Sequence, residues 1–459
     1  MIRREGERMT ELLSIILAAG EGTRMRSATP KVLHRVGGLP IVGHVVRAAR
    51  DAGSVQVAVV TGPGREDVRA AVSALAPGTQ YFEQTERRGT GHAAAAARAA
   101  WQDAKGYVAL IYGDHPLLRA ANFADIVARL EAGMDGAILG FEPADPTGYG
   151  RFITEGERLL AIREHKDASD AERRIGLCNA CILAFRVEVF RELIDNLQPN
   201  NAQGEFYATD LVELANQAGY RVGYSVAPER DVMGVNDRAQ LARAEAVFQE
   251  LRRDEFMAAG VTLHDPQTVY FSWDTEIAQD VVIEPSVFFG PGVTVAEGAK
   301  IRAFSHIEGA SIGRGATVGP FARLRPGAVL AAEAKVGNFV EVKQAHIGAG
   351  AKVSHLTYVG DAEIGAGANV GAGTVTVNYD GVNKHRTVVG EGAFIGSNSS
   401  LVAPVTVGSG AFVTAGSVIT EDVEADAAAF GRARQVNKPG HGNELRARAA
   451  AFKKRQREG

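Results

Sequence analysis

The chain has 459 residues, 46% of them hydrophobic and 23% charged, and a net charge of −4. These values exclude a disordered or membrane-inserted protein, and they give no general attraction to nucleic acid or to an anionic membrane. Cys178 and Cys181 are the only cysteines. They exclude a disulfide framework, and we interpret them as ordinary thiols of a cytoplasmic protein rather than as a metal or redox pair.

Residues 12 to about 235 alternate apolar runs with helical stretches. The runs predict strands at 12–17, 55–61, 107–112, 137–141 and 182–185, and the Ala-rich segment 93–100 predicts a helix. This alternation indicates a mostly parallel, doubly wound sheet, in which ligands bind beyond the carboxyl ends of the strands. We therefore expect a site in the loops that follow Leu17 and Tyr112.

The first of these loops reads Leu17-Ala18-Ala19-Gly20-Glu21-Gly22-Thr23-Arg24-Met25. It is not a dinucleotide fingerprint, which needs a third glycine where Met25 stands, nor a P-loop, which ends in Gly-Lys-Ser/Thr. Glycines let the backbone approach a phosphate, and a helix N-terminus favours an anion. Arg24 and Lys31 add the positive charge that suits a triphosphate. Taken alone, the Gly-x-Gly pattern also fits a plain tight turn.

Residues 236–258 predict an amphipathic helix that links two units, because their apolar side chains recur on one face. Beyond them, from Ile277 to Ile419, an apolar residue recurs at every sixth position with a few five-residue steps, and glycine often follows it. A period of six fits neither a helix nor a long strand. It predicts a coil of short strands with one inward side chain per face, whereas a glycine-rich linker would not hold this register.

The last segment, 431–459, carries nine basic and two acidic side chains. We expect about the last ten of these residues to form a solvated, partly disordered tail.

The first motif, together with Pro30-Lys31-Val32-Leu33, resembles the signature of sugar-nucleotide pyrophosphorylases. The signature continues at Gln84, 89–93, 112–114, 148–151, 164–167, Asn179, 204–207 and 234–236. With the hexad repeat, nearly the whole chain resembles the bacterial family of bifunctional N-acetylglucosamine-1-phosphate uridyltransferase / glucosamine-1-phosphate acetyltransferases. The resemblance implies a Rossmann-like α/β domain at 1–235, a linker helix at 236–258, a left-handed parallel β-helix at 259–430 and a basic tail at 431–459.

The resemblance implies a role for each matching residue of the first site. The uridine nucleotide would contact Leu17, Ala18, Ala19, Gly20, Lys31, Gln84, Gly89, Thr90, Tyr112, Gly113 and Asp114. Arg24 and Lys31 would be catalytic, and Asp114 with Asn236 would bind Mg²⁺, which prefers oxygen ligands. Gly150, Glu164, Asn179 and Asn236 would contact the sugar. A turn aspartate, a surface salt bridge and an ordinary buried hydrogen bond are the structural alternatives for Asp114, Glu164 and Asn179.

Two positions depart from the family pattern. The usual Asn-Thr-Gly is Asn179-Ala180-Cys181 in this sequence, so we expect a hydroxyl contact near the sugar to be lost. His115 follows Asp114 where a small apolar residue is usual, and we interpret it as a packing or supporting residue rather than a ligand.

For the second half of the chain, the resemblance implies an acetyltransferase site. By resemblance, His355 is the general base, which suits an imidazole because it titrates near neutral pH, and Glu341 orients or balances it. Arg325, Lys343, Tyr358 and Asn369 would bind the sugar phosphate. Acetyl-CoA would contact Ala372, Asn378, Tyr379, Lys384, Ser397, Ala415 and Arg432.

The sequence therefore predicts a cytoplasmic homotrimer that acetylates glucosamine 1-phosphate with acetyl-CoA and then transfers UMP from UTP to N-acetylglucosamine 1-phosphate, with Mg²⁺ as cofactor. The product would supply peptidoglycan, lipopolysaccharide and lipid A precursors. One alternative is a sugar-1-phosphate nucleotidyltransferase with a non-catalytic β-helix. Another is an assembly scaffold with a degenerate binding domain, which intact Arg24, Lys31 and Asp114 argue against.

Overall fold

The computed structural model describes residues 11–458. The first ten residues of the predicted 1–235 domain and Gly459 of the predicted tail lie outside the described residues. The chain divides into two compact units: the first runs to Glu255 and includes Phe271–Trp273, and the second comprises Phe256–Tyr270 and the chain from Asp274 onward. Within the described part, none of the helices has both the length and the apolar character needed to cross a bilayer.

The first unit alternates strands and helices as the apolar runs predict. Its strands are β1 Leu12–Ala18, β2 Arg35–Val36, β3 Leu39–Pro40, β4 Gln56–Thr61, β5 Gln80–Glu83, β6 Tyr107–Tyr112, β7 Gly136–Phe141, β8 Arg151–Glu155, β9 Arg158–Arg163, β10 Cys178–Arg186 and β11 Val222–Ala227. Its helices are α1 Ile41–Asp51, α2 Glu66–Leu75, α3 Thr90–Ala96, α4 Arg98–Trp101, α5 Ala120–Glu131, α6 Asp170–Arg173, α7 Val187–Ile194 and α8 Leu211–Gln217. Short 3-10 turns lie at Thr23–Met25, Lys31–Leu33, Ala208–Asp210 and Glu229–Asp231. The predicted helix at 93–100 is divided between α3 and α4 at Ala97.

The main sheet has the strand order β5-β4-β1-β6-β10-β7-β11-β9-β8. Strands β1, β4, β5, β6, β7, β8 and β11 run in one direction, whereas β9 and β10 run against them. The sheet is therefore mostly parallel, as predicted. The insertion of β10 between β6 and β7 brings together residues that are distant in the sequence.

Side chains of β1 alternate between the two faces of this sheet. Leu12 and Ile16 belong to one buried cluster, and Leu13 and Ile15 belong to the other. Each cluster packs against helices, so both faces of β1 are buried, and this accounts for its continuous apolar sequence. Leu17 lies beside Tyr112 in register, which places the ends of β1 and β6 at one edge.

The second unit is a parallel β-helix of short strands. They are β12 Thr262–Leu263, β13 Glu276–Ile277, β14 Val282–Ile283, β15 Phe288–Phe289, β16 Thr294–Val295, β17 Lys300–Ile301, β18 His306–Ile307, β19 Ala310–Ile312, β20 Thr317–Val318, β21 Arg323–Leu324, β22 Ala328–Leu330, β23 Lys335–Asn338, β24 Glu341–Ile347, β25 Lys352–His355, β26 Tyr358–Ile364, β27 Asn369–Val370, β28 Val375–Val377, β29 Thr387–Val389, β30 Phe394–Ile395, β31 Ser400–Val402, β32 Val405–Val407, β33 Phe412–Val413, β34 Val418–Ile419 and β35 Ala428–Ala429. A 3-10 turn lies at Pro266–Thr268.

The six-residue period is confirmed by the pairing of these strands. On one face, Ile301, Val318, Val336, Val353 and Val370 pair in register on successive coils, and all of them are buried. Each coil thus adds one inward branched side chain per face, which is the geometry that the sequence period requires. A polar loop interrupts the pattern between β28 and β29.

Two long helices lie outside the sheets. Helix α9, Arg238–Ala258, occupies the segment for which the sequence predicts a linker helix. Helix α10, His441–Glu458, forms most of the basic tail. The expectation of a partly disordered tail was therefore wrong for this stretch, whose residues up to Arg457 are nearly all exposed. Straight-chain Arg, Lys, Glu and Gln and several alanines favour a helix even without a partner.

Candidate active sites

A cavity of about 290 Å³ opens at the carboxyl ends of β1 and β6. The structure brings ten predicted residues to its wall: Leu17, Ala18, Ala19, Gly20, Lys31, Gln84, Gly89, Thr90, Tyr112 and Asp114. Val32, Arg87, Ala93 and Glu205 also line it, and none of these four was singled out as a site residue from the sequence. Arg24 does not line the cavity; it is exposed on the short turn Thr23–Met25.

Gly22 holds the loop after β1 in a conformation that suits glycine. Its φ is 63°, and a Cβ there would lie 2.5 Å from the Cβ of Lys31. Only glycine combines this left-handed backbone with such a close approach. The absence of a side chain at Gly22 therefore leaves room for Lys31, which packs against this loop and lines the cavity.

Lys31, Asp114 and Asn236 meet at one end of the cavity. The Nζ of Lys31 donates to Oδ2 of Asp114 at 2.5 Å and to Oδ1 of Asn236 at 3.0 Å. Burial alone would raise the pKa of Asp114, but the Lys31 ammonium and the neighbouring His115 imidazole hold it well below its ordinary value. The carboxylate is therefore ionised and oriented at neutral pH.

These oxygens fit a hard divalent cation. The carboxylate oxygen Oδ2 of Asp114 and the amide oxygen of Asn236 already converge on one positive charge, and the other oxygen of Asp114 is buried beside the imidazole of His115. Among residues 11–458, no group of three or more His, Cys, Asp or Glu side chains could hold a metal. A Mg²⁺ at Asp114 and Asn236 would thus complete its shell with water and substrate phosphates, as this ion does elsewhere.

Gln84, Gly89 and Thr90 form the opposite wall. The buried Gln84 donates from Nε2 to the carbonyl of Gly89 at 3.0 Å, and Thr90 Oγ1 accepts from the backbone N–H of Ala208 at 2.9 Å. These bonds fix the start of α3, where the backbone N–H of Gly91 also donates to the carbonyl of Phe206 at 2.7 Å.

Gly150, Glu164 and Asn179 lie close to one another, and Glu164 lines a separate cavity of about 430 Å³. The backbone N–H of Asn179 donates to the carbonyl of Gly150 at 2.8 Å, and a Cβ on Gly150 would lie 3.3 Å from Glu164 Oε1. Burial raises the pKa of Glu164, although a hydrogen bond from Thr209 opposes the shift. The side-chain oxygen of Asn179 is buried with no hydrogen-bond partner, so it is available to a ligand.

In the β-helix, His355 is held by Asn338. The two residues are register partners on neighbouring coils, and Nδ1 of His355 lies 2.5 Å from Oδ1 of Asn338. A carbonyl oxygen can only accept, so Nδ1 carries the proton and Nε2 is left as a free base. Asn338 was not singled out from the sequence as a site residue.

Glu341 contacts Arg325 rather than the imidazole of His355. Its carboxylate accepts a hydrogen bond from Arg325 Nη1 at 2.8 Å, and its register partner on the preceding coil is Arg323. In the structure Asn338 contacts the imidazole and Glu341 contacts the Arg325 guanidinium, and the expectation that Glu341 orients or balances His355 stays a prediction. The chain turns at Phe339, whose φ is 55°, and this places Asn338 and Glu341 on different faces of the coil.

Lys343 and Lys384 lie next to the Arg325–Glu341 pair, so three cations are close together. The ammonium of Lys384 lowers the pKa of Lys343, and Arg325 adds to the effect. Like charges held this close are stabilised by an anion between them. Tyr358 and Asn378 lie close by, because a Cβ on Gly360 would meet the Tyr358 hydroxyl at 2.4 Å and the Asn378 amide at 2.8 Å.

The residues expected to bind acetyl-CoA follow one another along the coils. The carbonyl of Ala372 accepts from Asn398, the carbonyl of Ser397 accepts from Gly416, and a Cβ on Gly416 would lie 3.8 Å from Arg432 Cδ. Ala415 lies against Gly396, one coil below it. Asn369 lies on β27, and Tyr379 and Lys384 form an isolated bridge across the inserted loop.

Comparison with known proteins supports the same two halves. Residues 14–175 match the MobA-like NTP transferase domain, and residues 386–421 match the bacterial transferase hexapeptide (six repeats). The bifunctional protein GlmU of Azorhizobium caulinodans is 54% identical over 436 residues, 95% of this chain and 97% of the relative. That of Sinorhizobium medicae is 56% identical over 443 residues, 96% and 97% of the two chains.

This chain belongs to the bifunctional GlmU family. The membership confirms the resemblance on which the sequence predictions rest, and the hexapeptide match confirms the predicted β-helix. A solved UDP-glucose pyrophosphorylase complexed with UDP-glucose is similar at a TM-score of 0.44 and 16% identity, over 53% of this chain and 100% of that one. A likeness at this level carries no argument.

Within the GlmU family fold, sequence patterns could have revealed some of the missed residues. Arg87 and Glu205 adjoin the matched motifs at 89–93 and 204–207, so proximity to those motifs was the available signal. Asn338 precedes His355 by 17 residues, which is one residue less than three six-residue repeats. Its pairing with His355 can therefore be recognised only once the length of this coil is known.

Proposed function

We propose that the cavity of the first unit transfers UMP from UTP to N-acetylglucosamine 1-phosphate, and that His355 of the β-helix serves acetyl transfer from acetyl-CoA to glucosamine 1-phosphate. Together the reactions make UDP-N-acetylglucosamine, a precursor of cell-wall and lipopolysaccharide sugars. Membership in the bifunctional GlmU family supports the pair of activities. The observation that carries the assignment of residues is the convergence of Lys31, Asp114 and Asn236 at one end of the cavity.

The first reaction needs no protein nucleophile. A phosphate oxygen of the sugar attacks the α-phosphorus of UTP, the bond to the β-phosphate breaks, and pyrophosphate leaves. Lys31 neutralises the phosphates, and the loop from Leu17 to Gly22 lets them approach the backbone. Gly150, Glu164 and Asn179 hold the amino sugar, with the unpaired oxygen of Asn179 accepting a sugar donor. Positioning and charge neutralisation supply the rate.

Asp114 and Asn236 would hold Mg²⁺, which when bound supplies neutralisation of the charge that develops on the phosphate oxygens. In the structure Lys31 occupies the same two oxygens. With Mg²⁺ held by Asp114 and Asn236, the Lys31 ammonium would instead neutralise the phosphates. Arg24, exposed on the turn after β1, would add a second cation for the phosphates.

The second reaction uses His355 as the base. The amine of glucosamine 1-phosphate attacks the thioester carbon of acetyl-CoA, Nε2 of His355 takes a proton from the amine, and CoA leaves as the thiol. Arg325, Lys343 and Tyr358 surround the sugar phosphate, and Lys384, for which the resemblance implies a contact with acetyl-CoA, joins them because it lies beside Lys343. The exposed column that contains Ala372, Ser397, Ala415 and Arg432 receives acetyl-CoA, with Arg432 on its phosphates.

The enzyme acts as a homotrimer in the cytoplasm. His355 and Lys384 are exposed on successive coils of one chain, so the cleft around them needs a wall from a second copy. Hexapeptide β-helices typically assemble in threes. Two reduced cysteines, both buried, agree with the cytoplasm.

Two single variants test the proposal in the full-length trimer. Asp114→Asn should abolish pyrophosphate release and leave thiol release from acetyl-CoA intact. His355→Ala should lower thiol release by about 10²- to 10⁴-fold, the usual contribution of a general base, and leave uridyl transfer intact. Loss of both activities in either folded variant contradicts independent sites. Full thiol release by His355→Ala favours the alternative with a non-catalytic β-helix.

A further inference from the structure

Both departures from the family pattern meet at one point of the first unit. His115 follows Asp114, and Cys181 ends the segment where the family has glycine. They are 66 positions apart in sequence, yet the Cys181 thiol is within hydrogen-bonding reach of the His115 imidazole. Both side chains are buried, with 7% and 1% of their surfaces exposed.

The imidazole of His115 contacts both oxygen-bearing segments expected to hold the cation. Its Nδ1 lies 2.7 Å from Oδ1 of Asp114, the carboxylate oxygen opposite the one that Lys31 contacts. Its Nε2 would lie 3.1 Å from a Cβ on Gly234, so the ring packs on the backbone two residues before Asn236. Val235 in turn donates its backbone N–H to the carbonyl of Asp114 at 2.9 Å. His115 is therefore a spacer between the two segments.

Cys181 has a strained backbone. Its φ is 121°, a conformation that side chains with a Cβ rarely adopt, and it lies where the register of β10 against β7 shifts. Such strain costs about 1–3 kcal/mol and persists only where the surroundings enforce it. A glycine would remove the strain, but it would also remove the thiol that contacts His115.

We propose that His115 is a positioning residue for the cation site of the uridyl-transfer reaction, held in place by Cys181. It fixes the Asp114 carboxylate from behind and sets the distance between Asp114 and Asn236. Cys181 supports the His115 ring through its thiol, although the backbone of Cys181 is strained. This inference rests on the proposed role of Asp114 and Asn236. Supporting groups of this kind change metal affinity by about 10- to 100-fold when they are removed.

The test measures Mn²⁺ binding to the full-length protein with UTP and no sugar, by the loss of the free-ion electron paramagnetic resonance signal. His115→Val should weaken Mn²⁺ binding about 10- to 100-fold while UTP binding without metal stays unchanged. His115→Gln keeps a side-chain N–H donor, so it should bind Mn²⁺ more tightly than His115→Val does. Acetyl transfer by the same trimers should not change, which shows that the variants fold and assemble.

Cys181→Gly tests the second half of the proposal. It should weaken Mn²⁺ binding several-fold when His115 is present and have no effect in the His115→Val background, because coupled residues show non-additive effects. Asp114→Asn distinguishes a failure of the proposed function from a failure of the positioning role. If this variant leaves Mn²⁺ binding intact, the proposed function fails. If Asp114→Asn abolishes binding but His115→Val does not weaken it, only the positioning role is overturned. Additive effects of the Cys181 and His115 substitutions overturn the support by Cys181.

Discussion

Replacement of Asn338 by alanine gives the sharpest test of the acetyl-transfer geometry. The structure joins Nδ1 of His355 to Oδ1 of Asn338 at 2.5 Å, and this contact selects the tautomer in which Nε2 is the base. Both residues are at least partly exposed, so a water molecule can replace the lost acceptor. The net contribution of one such hydrogen bond is about 1 kcal/mol, with a range of about 0.5–1.5.

At about 1.36 kcal/mol per tenfold, 1 kcal/mol corresponds to about a fivefold fall in kcat, and the range to about two- to thirteenfold. Loss of the base itself in His355→Ala should cost about 10²- to 10⁴-fold. The kcat of Asn338→Ala should therefore lie clearly between that of the parent enzyme and that of His355→Ala. Asn338→Asp keeps an acceptor oxygen and should retain more activity than the alanine variant.

The assay is the rate of free thiol formation from acetyl-CoA at saturating glucosamine 1-phosphate, with pyrophosphate release by the same preparation as the folding control. Glu341→Gln is the matched control, because Glu341 contacts Arg325 and not the imidazole. It should raise KM for the sugar phosphate more than it lowers kcat. An unchanged kcat in Asn338→Ala, or a fall as large as that of His355→Ala, would refute the orienting role.

Three further outcomes follow from the contacts described above. Gly22→Ala introduces a Cβ 2.5 Å from that of Lys31 at a φ of 63°, so uridyl transfer should fall by about tenfold or more while acetyl transfer is retained. Lys384→Met removes one of three clustered cations, so KM for glucosamine 1-phosphate should rise about fivefold, and the rise should shrink at high salt. His44 is buried, donates to the carbonyl of Val36 at 2.8 Å, and has a pKa lowered by burial from 6.5 to about 4. Its neutral form stabilises the fold above about pH 6.5, and this stability is lost as the pH falls towards 4, by up to about 3 kcal/mol. In urea unfolding of the first unit, His44→Gln should flatten the pH dependence of the free energy of unfolding between pH 7.5 and 5. An equally steep decline in the variant would show that other groups cause the loss of stability.

The sequence by itself determined the architecture of both halves. The six-residue period requires an inward side chain on each face of a coil, and the buried ladder from Ile301 to Val370 has this arrangement. The loop from Leu17 to Gly22 likewise carries its own geometry, because the positive φ of Gly22 is a local requirement. Such features depend on residues close in sequence, so the pattern alone predicts them.

Only the tertiary structure decided which side chains act on each other. Glu341 and Asn338 are three residues apart, but the turn at Phe339 sends them to different faces, so the partner of His355 is Asn338. His115 meets Cys181 because β10 runs antiparallel beside β6, a pairing between distant segments. Register and strand order follow from packing of the whole sheet, and no local period contains that information.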